Sequence, residues 1–74
     1  MSVEQFEHEL RTNKHRDPFR PFVVELIDGR SILVDEPALA FDGGRAVFLG
    51  SSDIEIFDCE EVQRFRPAQM GPAA

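Results

Sequence analysis

The chain has a single cysteine, no tryptophan or tyrosine, and no long apolar run. Because Cys59 is alone, an internal disulfide cannot stabilise the fold, and a reduced, cytoplasmic setting is the default expectation. The longest apolar runs cover only a few residues, so the sequence predicts neither a secretion signal nor a membrane span. The seven phenylalanines are the only aromatic residues, and most are expected to pack in a core.

Basic residues are also scarce, with 8 Lys and Arg against 14 Asp and Glu, giving a formal net charge of −6. Residues 1–20 carry as many bases as acids, so the excess acid belongs to the rest of the chain. An acidic surface repels phosphate backbones, and nucleic acid is therefore not expected as a partner for it.

No spacing of residues indicates catalysis, a metal site or a phosphate loop. Cys59 lies among acidic residues, which disfavour a reactive thiolate, so a part-buried structural role is expected. His8 and His15 have no second histidine one helical turn away and are predicted to be solvated. Residues 43–45 lack the Lys-Ser/Thr and following helix of a phosphate loop, and predict a hairpin turn. We therefore expect no enzyme, no cofactor and no metal.

The most informative stretch is residues 18–35, a β-rich run interrupted by an Asp-Gly pair where a hairpin would turn. A two-residue loop would pair Ile27 with Arg30, whereas a three-residue loop ending at Gly29 would pair Leu26 with Arg30. A slip of one residue reverses every side chain, and the three-residue loop separates apolar from polar positions better. That register is favoured.

In that register one face of the hairpin is apolar and predicted to be core: Phe22, Val24, Leu26, Ile32 and Val34. The other face carries Val23 and Leu33 beside Glu25. This second face is expected to be only partly wet and to contact the helix or another subunit.

The first residues predict a short amphipathic helix with Ser2 as its N-cap. Val3, Phe6 and Leu10 form a narrow apolar stripe at helical spacing. The helix should end near residues 13–16, because Pro18 disfavours helical geometry at the residue before it. A helix this short is marginal alone, so it is expected to lie on an open end or face of the sheet.

Beyond the hairpin, residues 46–49, 53–57 and 62–66 predict further strands, separated by turns at 42–45, 50–52 and 58–61. Residues 38–41 are compatible with a short strand or a helical turn, and the strand is favoured. In 53–57 the alternation places Ile54 and Ile56 on one face and Asp53 and Glu55 on the other. The acidic pair is expected to point outward as the solvated face of an edge strand.

The predicted fold is mainly β (α+β), in a single domain spanning residues 1–67. It consists of an N-terminal helix followed by a five-stranded meander that forms a small SH3-like or Sm-like barrel or a strongly bent sheet. Residues 68–74 are predicted to be a disordered tail. A meander of this length exposes strand edges unless it closes or a second copy covers them.

The start of the first strand resembles a group of small bacterial proteins of unknown function, which share an F-R-P-F strand start and a V-x-L-x-D-G-R hairpin. The matching residues here are Phe19, Arg20, Pro21, Phe22, Val24, Leu26, Asp28, Gly29 and Arg30. The motif concerns a strand and a turn, and the resemblance implies no activity.

The order of elements also resembles the Sm-like form of the SH3-type barrel. Members of that superfamily often form rings and bind uridine-rich RNA, through a loop with an aspartate and an asparagine after the second strand. Residues 38–41 fall at that place here, and the chain has no asparagine beyond Asn13. The resemblance implies the barrel shape, whereas the RNA-binding residues are not matched.

Two features suggest where a partner could bind. The basic cluster around Arg16 and Arg20 could bind an anion or the acidic face of a second subunit, although helix-end charge and a solvated linker also explain it. Phe65 lies between Arg64 and Arg66, the one place where an aromatic residue alternates with arginines as in base-stacking surfaces. The candidate interaction surface is Val23, Leu33, Arg16, Arg20, Arg64 and Phe65.

The function predicted from these features is a non-enzymatic interaction module that forms a homodimer or a higher homo-oligomer. The alternative is an Sm-like protein that binds nucleic acid or another anion.

Overall fold

The computed structural model describes residues 1–50 and 53–68. Its elements follow the chain in the order α1 (Val3–Lys14), β1 (Phe22–Leu26), β2 (Ser31–Val34), β3 (Leu39–Asp42), β4 (Arg45–Leu49), β5 (Ile54–Asp58) and β6 (Val62–Pro67). Apart from Ala68, the tail predicted to be disordered lies outside the described residues.

The strands form two antiparallel three-stranded sheets, which we call the first sheet (β2-β1-β6) and the second sheet (β3-β4-β5). The predicted α+β class with an N-terminal helix is confirmed. The strands number six rather than the five of the predicted meander, and the strand favoured at 38–41 is confirmed as β3. Within the described residues no strand pairing joins the sheets into a closed barrel. A groove lined by Leu33 of β2 and Glu55 of β5 lies between their free edges.

The register of the first hairpin is the one that a three-residue loop predicts. Phe22 lies opposite Val34, and Val24 lies opposite Ile32. All four side chains are buried. The need to bury one apolar face thus selects this register over its one-residue neighbour.

The turn of this hairpin is closed by backbone and side-chain hydrogen bonds. The amide of Leu26 donates to the carbonyl of Arg30 at 2.8 Å, and the amide of Gly29 donates back to Leu26 at 3.0 Å. Gly29 has φ of +95°, a conformation that costs a residue with a Cβ about 1–2 kcal/mol. The Asp28 carboxylate accepts from the Arg30 amide at 3.0 Å. The Asp-Gly pair therefore has a local, structural role.

Helix α1 begins as the sequence predicts and buries its stripe in part. The Ser2 hydroxyl accepts a hydrogen bond from the amide of Gln5 at 3.1 Å. Phe6 and Leu10 are fully buried, whereas Val3 at the start of the helix is 43% exposed. Tertiary packing of these two side chains stabilises a helix that would be marginal in isolation.

The helix is attached mainly to the second sheet. The Phe6 ring meets Phe57 of β5 edge-on, with centroids 6.0 Å apart. At the other end of the helix, the ammonium group of Lys14 donates to the carbonyl of Leu39 in β3 at 2.6 Å. The Arg11 guanidinium lies 5.8 Å from the centroid of the Phe41 ring, within the range of a cation–π contact. The helix therefore lies along the free edge of β3.

The core receives side chains from the helix and from both sheets. Its members are Phe6, Leu10, Phe22, Val24, Leu26, Ile32, Val34, Leu39, Ala46, Phe48, Phe57, Cys59 and Val62. Burying one large apolar side chain stabilises a fold by about 1.5–3 kcal/mol. The core occupies the space enclosed by the two sheets and the helix, so each sheet has one inner and one outer face.

One prediction about β5 is wrong in direction. The alternation itself is present, but Ile54 and Ile56 are the residues that point outward, being 66% and 59% exposed. Glu55 is half-buried, since it shares a face with Phe57, whose ring lies in the core. Alternation defines two faces and does not say which is inside. The Phe57 ring packs edge-on against Phe6 of the helix within the core, so the side of β5 that carries Phe57 is the inner one.

Candidate interaction site

On the outer face of the first sheet, the predicted pair Val23 and Leu33 is covered unequally. Val23 lies between Leu33 on β2 and Arg66 on β6, and is only 8% exposed. Leu33 is 49% exposed. The buried helix residues Phe6 and Leu10 belong to the core on the opposite face of β1, so the helix does not cover this pair.

The rest of that face is charged and internally paired. The Glu25 carboxylate accepts hydrogen bonds from the Nε atoms of Arg64, at 2.6 Å, and of Arg66. These hydrogen bonds, that from Arg64 first, hold the pKa of Glu25 below its ordinary value. Both arginines of β6 thus already have an anionic partner within the chain.

The remaining predicted site residues do not join Val23, Leu33 and Arg64. Phe65 is half-buried and points the other way, with its ring centroid 6.3 Å from those of Phe6 and Phe22. Arg16 and Arg20 are exposed in the segment between α1 and β1. Arg16 shares a small groove with Phe65 and Arg66. The six predicted residues therefore lie on several surfaces rather than on one.

The second sheet presents a different outer face. Strand pairing places Ala40, Val47 and Ile56 in one row across the sheet, and Leu49 opposite Ile54 in the next. Ile54, Ile56 and Leu49 are 66%, 59% and 52% exposed. We call the five side chains Ala40, Val47, Leu49, Ile54 and Ile56 the outer apolar face.

One end of the outer apolar face is bounded by charge. Arg45 of β4 lies opposite Asp42 of β3 on one side and opposite Asp58 of β5 on the other. We call these three residues the charged row. Within the described part of the chain, Arg45 has no carboxylate at ion-pair distance. Its guanidinium is exposed and available to a partner.

Strand β4 is apolar towards both sides of the sheet. Ala46 and Phe48 are buried in the core, while Val47 and Leu49 belong to the outer apolar face. A near-continuous apolar strand is typical of sheets that are covered on both faces. Among the residues that the structure describes, side chains cover the inner face of this sheet and leave Leu49, Ile54 and Ile56 of the outer face exposed, which distinguishes the second sheet from the first.

Neither Arg45 nor any residue of the outer apolar face is among the site residues that the sequence predicts. Two signals were present. The run 46–49 is apolar at every position rather than at alternate ones. In addition, Phe57 is in phase with Asp53 and Glu55, so burying the ring turns the isoleucines outward.

The side chains that could take part in catalysis or bind a metal are either buried or far from one another. Cys59 is buried as a free thiol, and its amide donates to Gly44 at 2.7 Å. His8 and His15 are exposed. In residues 1–50 and 53–68, no group of three or more His, Cys, Asp or Glu side chains is placed to hold a metal ion. In the same ranges no helix has the length and apolar character needed to cross a bilayer.

The chain matches no protein-family model, and it has no match among curated proteins. The resemblances to the small bacterial proteins and to the Sm-like fold thus stay predictions based on the motif residues and the order of elements.

Proposed function

We propose that the protein is a non-enzymatic interaction module that self-associates, as a homodimer or a higher homo-oligomer, through its outer apolar face. The observation that carries the proposal is the joint exposure of Leu49, Ile54 and Ile56 on one side of one sheet. Contiguous exposed apolar surface of this kind marks interaction sites. Removing it from water stabilises a complex by about 25 cal/mol per Å² before the costs of association.

Charge favours a second copy of the chain as the occupant. The charged row adds only two acids and one arginine to the outer apolar face, so most of the net charge of −6 lies elsewhere. Two copies can therefore bring these faces together without opposing their main acidic surfaces. An identical apolar partner is also self-complementary under two-fold symmetry. A chain of 74 residues buries a small core, and covering this face adds to it.

The test compares two matched substitutions by sedimentation equilibrium over a wide concentration range. Ile56→Asp places a carboxylate in the outer apolar face, and Leu33→Asp places one at a similarly exposed strand position of the first sheet. We expect the wild type and Leu33→Asp to show a concentration-dependent mass above that of the monomer. We expect Ile56→Asp to weaken association on the order of a hundredfold, since a charge in an apolar interface is costly.

Circular dichroism checks that both variants remain folded, as exposed positions should allow. A wild type that stays monomeric at the highest concentration would overturn self-association. Dissociation by Leu33→Asp with no effect of Ile56→Asp would place the interface on the first sheet instead.

We also propose the SH3-like or Sm-like barrel as the finer description of the fold. It is supported by the N-terminal helix, by the tight turn before β6, and by β1, which pairs with both β2 and β6. Nuclear Overhauser contacts between backbone atoms of the two sheets would establish closure, and their absence would leave two separate sheets. A reduced, cytoplasmic setting belongs to the same proposal, because the one cysteine is a buried free thiol.

The alternative, binding of nucleic acid or another anion, receives less support from the surface. Arg64 and Arg66 are engaged by Glu25, and Phe65 packs against Phe6 rather than offering a free ring for stacking. No separate function of this kind is proposed.

A further inference from the structure

We propose that the groove between β2 and β5 binds an extended basic segment of another protein, which adds a strand to the free edge of β2. The groove is lined by residues of both strands and by the end of β4. It lies on the inner side of β5, whereas the outer apolar face lies on the other side of that strand. The proposal therefore goes beyond self-association and gives each copy a separate site for a partner.

The backbone of β2 has one unpaired side, and it faces the groove. The amide of Leu26 donates to the carbonyl of Arg30, so these residues form a hydrogen-bonded pair, and such pairs alternate along an antiparallel ladder. The N–H and C=O groups of Ser31 and Leu33 consequently point away from β1. In the described part of the chain no strand pairs with this edge of β2. An unpaired edge is a template for a further strand, and peptides often bind sheets in this way.

The groove carries negative charge. Asp53 and Glu55 line it from β5, and Asp35 lines it just after the end of β2. No Lys or Arg is among its described lining residues. Within residues 1–50 and 53–68, none of these three carboxylates has a cationic side chain at ion-pair distance. Charge complementarity therefore favours a basic segment and disfavours an acidic one.

The two sides of an added strand would meet different surroundings, because successive side chains of a strand point to opposite faces of the sheet. Side chains on the outer face would lie beside Leu33, which is 49% exposed. Side chains on the inner face would pass over Phe48 and reach Glu55 on the far wall. Lys and Arg suit the inner positions, since their apolar stems cover the ring while the charged ends meet the carboxylates. The pattern that fits is apolar residues alternating with basic ones.

The size of the groove and the spread of its carboxylates indicate a peptide rather than a small molecule or a metal ion. The groove has a volume of about 210 Å³, below the roughly 300–1,000 Å³ that is usual for small-molecule sites. Among the residues that the structure describes, no three acidic, His or Cys side chains are placed to share a metal ion. Separate basic side chains of one extended segment can instead reach the carboxylates individually.

The test uses a short peptide, Lys-Val-Lys-Val-Lys-Val-Lys, acetylated at its N-terminus and amidated at its C-terminus. Titration at low ionic strength is followed by the amide NMR signals of the protein. We expect the amides of Ser31 and Leu33 to shift as the added strand forms hydrogen bonds with them. The same peptide with every backbone nitrogen methylated keeps its charge and loses its donors, and it is expected to bind about tenfold more weakly or worse.

A pair of double variants tests the acidic wall by titration calorimetry with the same peptide. Asp53→Asn combined with Glu55→Gln removes two carboxylates from the groove, and is expected to weaken binding about tenfold or more. Glu4→Gln combined with Glu60→Gln is the matched control. It removes the same charge at exposed positions outside the groove, and should bind within about threefold of the wild type. Circular dichroism checks that both remain folded.

The outcomes are independent of self-association, which none of these measurements requires. Absence of binding at low ionic strength overturns the proposal. Undiminished binding of the methylated peptide overturns strand addition, and equal weakening in both double variants assigns the attraction to net charge instead of the groove. Peptide binding that dissociates an oligomer of the wild type would place a second copy in the groove, and would overturn the assignment to another protein.

Discussion

The outer face of the first sheet pairs its charges internally, whereas the outer face of the second sheet has apolar side chains that no part of residues 1–50 and 53–68 covers. In the first sheet Glu25 is held between two arginines, and Val23 is nearly buried beside them. Among the described residues, Leu33 is the only strongly exposed large apolar side chain in the strands of that sheet. The second sheet has three, at positions 49, 54 and 56.

The difference between the two outer faces follows from how charged and apolar side chains interact with water. Opposite charges on neighbouring strands satisfy each other, so a polar outer face is stable in water without a partner. Apolar side chains stabilise a structure only when their surface is removed from water, and neighbours on the same face of a sheet remove only part of that surface. We therefore propose the interaction surface on the second sheet rather than on the first, whose strands hold four of the six residues predicted from the sequence, namely Val23, Leu33, Arg64 and Phe65.

The largest expected effect is the difference in unfolding free energy between substitutions on the two faces of β5. Phe57→Ala should lower the free energy of unfolding by about 3–5 kcal/mol, because it opens a cavity in the core. Ile56→Ala, one residue earlier on the outer face, should change it by less than about 1 kcal/mol in dilute protein. Urea unfolding measures both. Similar losses in the two variants would mean that the outer face is covered within the monomer.

The next largest effect is the loss of stability expected when the glycines of two hairpin turns, one in each sheet, are replaced by alanine. Gly44 has φ of +88°, and a Cβ there would lie 3.1 Å from a methyl group of Val3 and 3.2 Å from the sulfur of Cys59. Gly29 has φ of +95°, with nothing within 4 Å of the same position. Gly29→Ala should cost about 1–2 kcal/mol from its backbone conformation alone.

Gly44→Ala should cost about 1–3 kcal/mol more, because overpacking adds to the strain. Thermal or urea unfolding of the two variants provides the comparison. Equal losses would contradict the close packing of the β3–β4 turn against the start of the helix.

A smaller effect is expected in the pH dependence of the stability, through Glu25 of the first sheet. The pKa of Glu25 is lowered chiefly by the hydrogen bond from Arg64, so its contribution to stability is complete above its ordinary pKa of 4.5. It is lost as the pH falls through the lowered value of the folded state. Glu25→Gln should therefore lose less stability than the wild type between pH 7 and pH 3. Glu36→Gln, at an exposed position, is the control and should follow the wild type.

The smallest effect is expected from conservative changes on the two outer faces. Ile54→Thr and Leu33→Thr should each alter the unfolding free energy of dilute protein by no more than about 0.5 kcal/mol. At high protein concentration only Ile54→Thr should lower the melting temperature relative to wild type, because association stabilises the folded state. Scanning calorimetry at two concentrations distinguishes the variants, and a concentration-independent wild type would count against the interface.

The candidate site shows which structural features the sequence patterns predict and which they leave open. The alternation of residues 53–57 identifies two faces correctly, and the run 46–49 contains the information that both sides of its strand are apolar. Neither pattern states which side faces the core. That choice depends on Phe57 meeting Phe6 of a helix far away in the chain, which local periodicity does not encode.

Local chemistry determined much of this protein from its sequence alone. Ser2 caps the helix, the Asp-Gly pair turns the hairpin, and the requirement to bury one face sets the register of β1 and β2. These features involve residues close in the chain, so propensity and spacing suffice. The tertiary structure decided the arrangement in two sheets, the inward direction of Phe57 and the exposure of Ile54 and Ile56. Burial is a property of the whole packed molecule, and competition among all its apolar side chains fixes which of them remain outside.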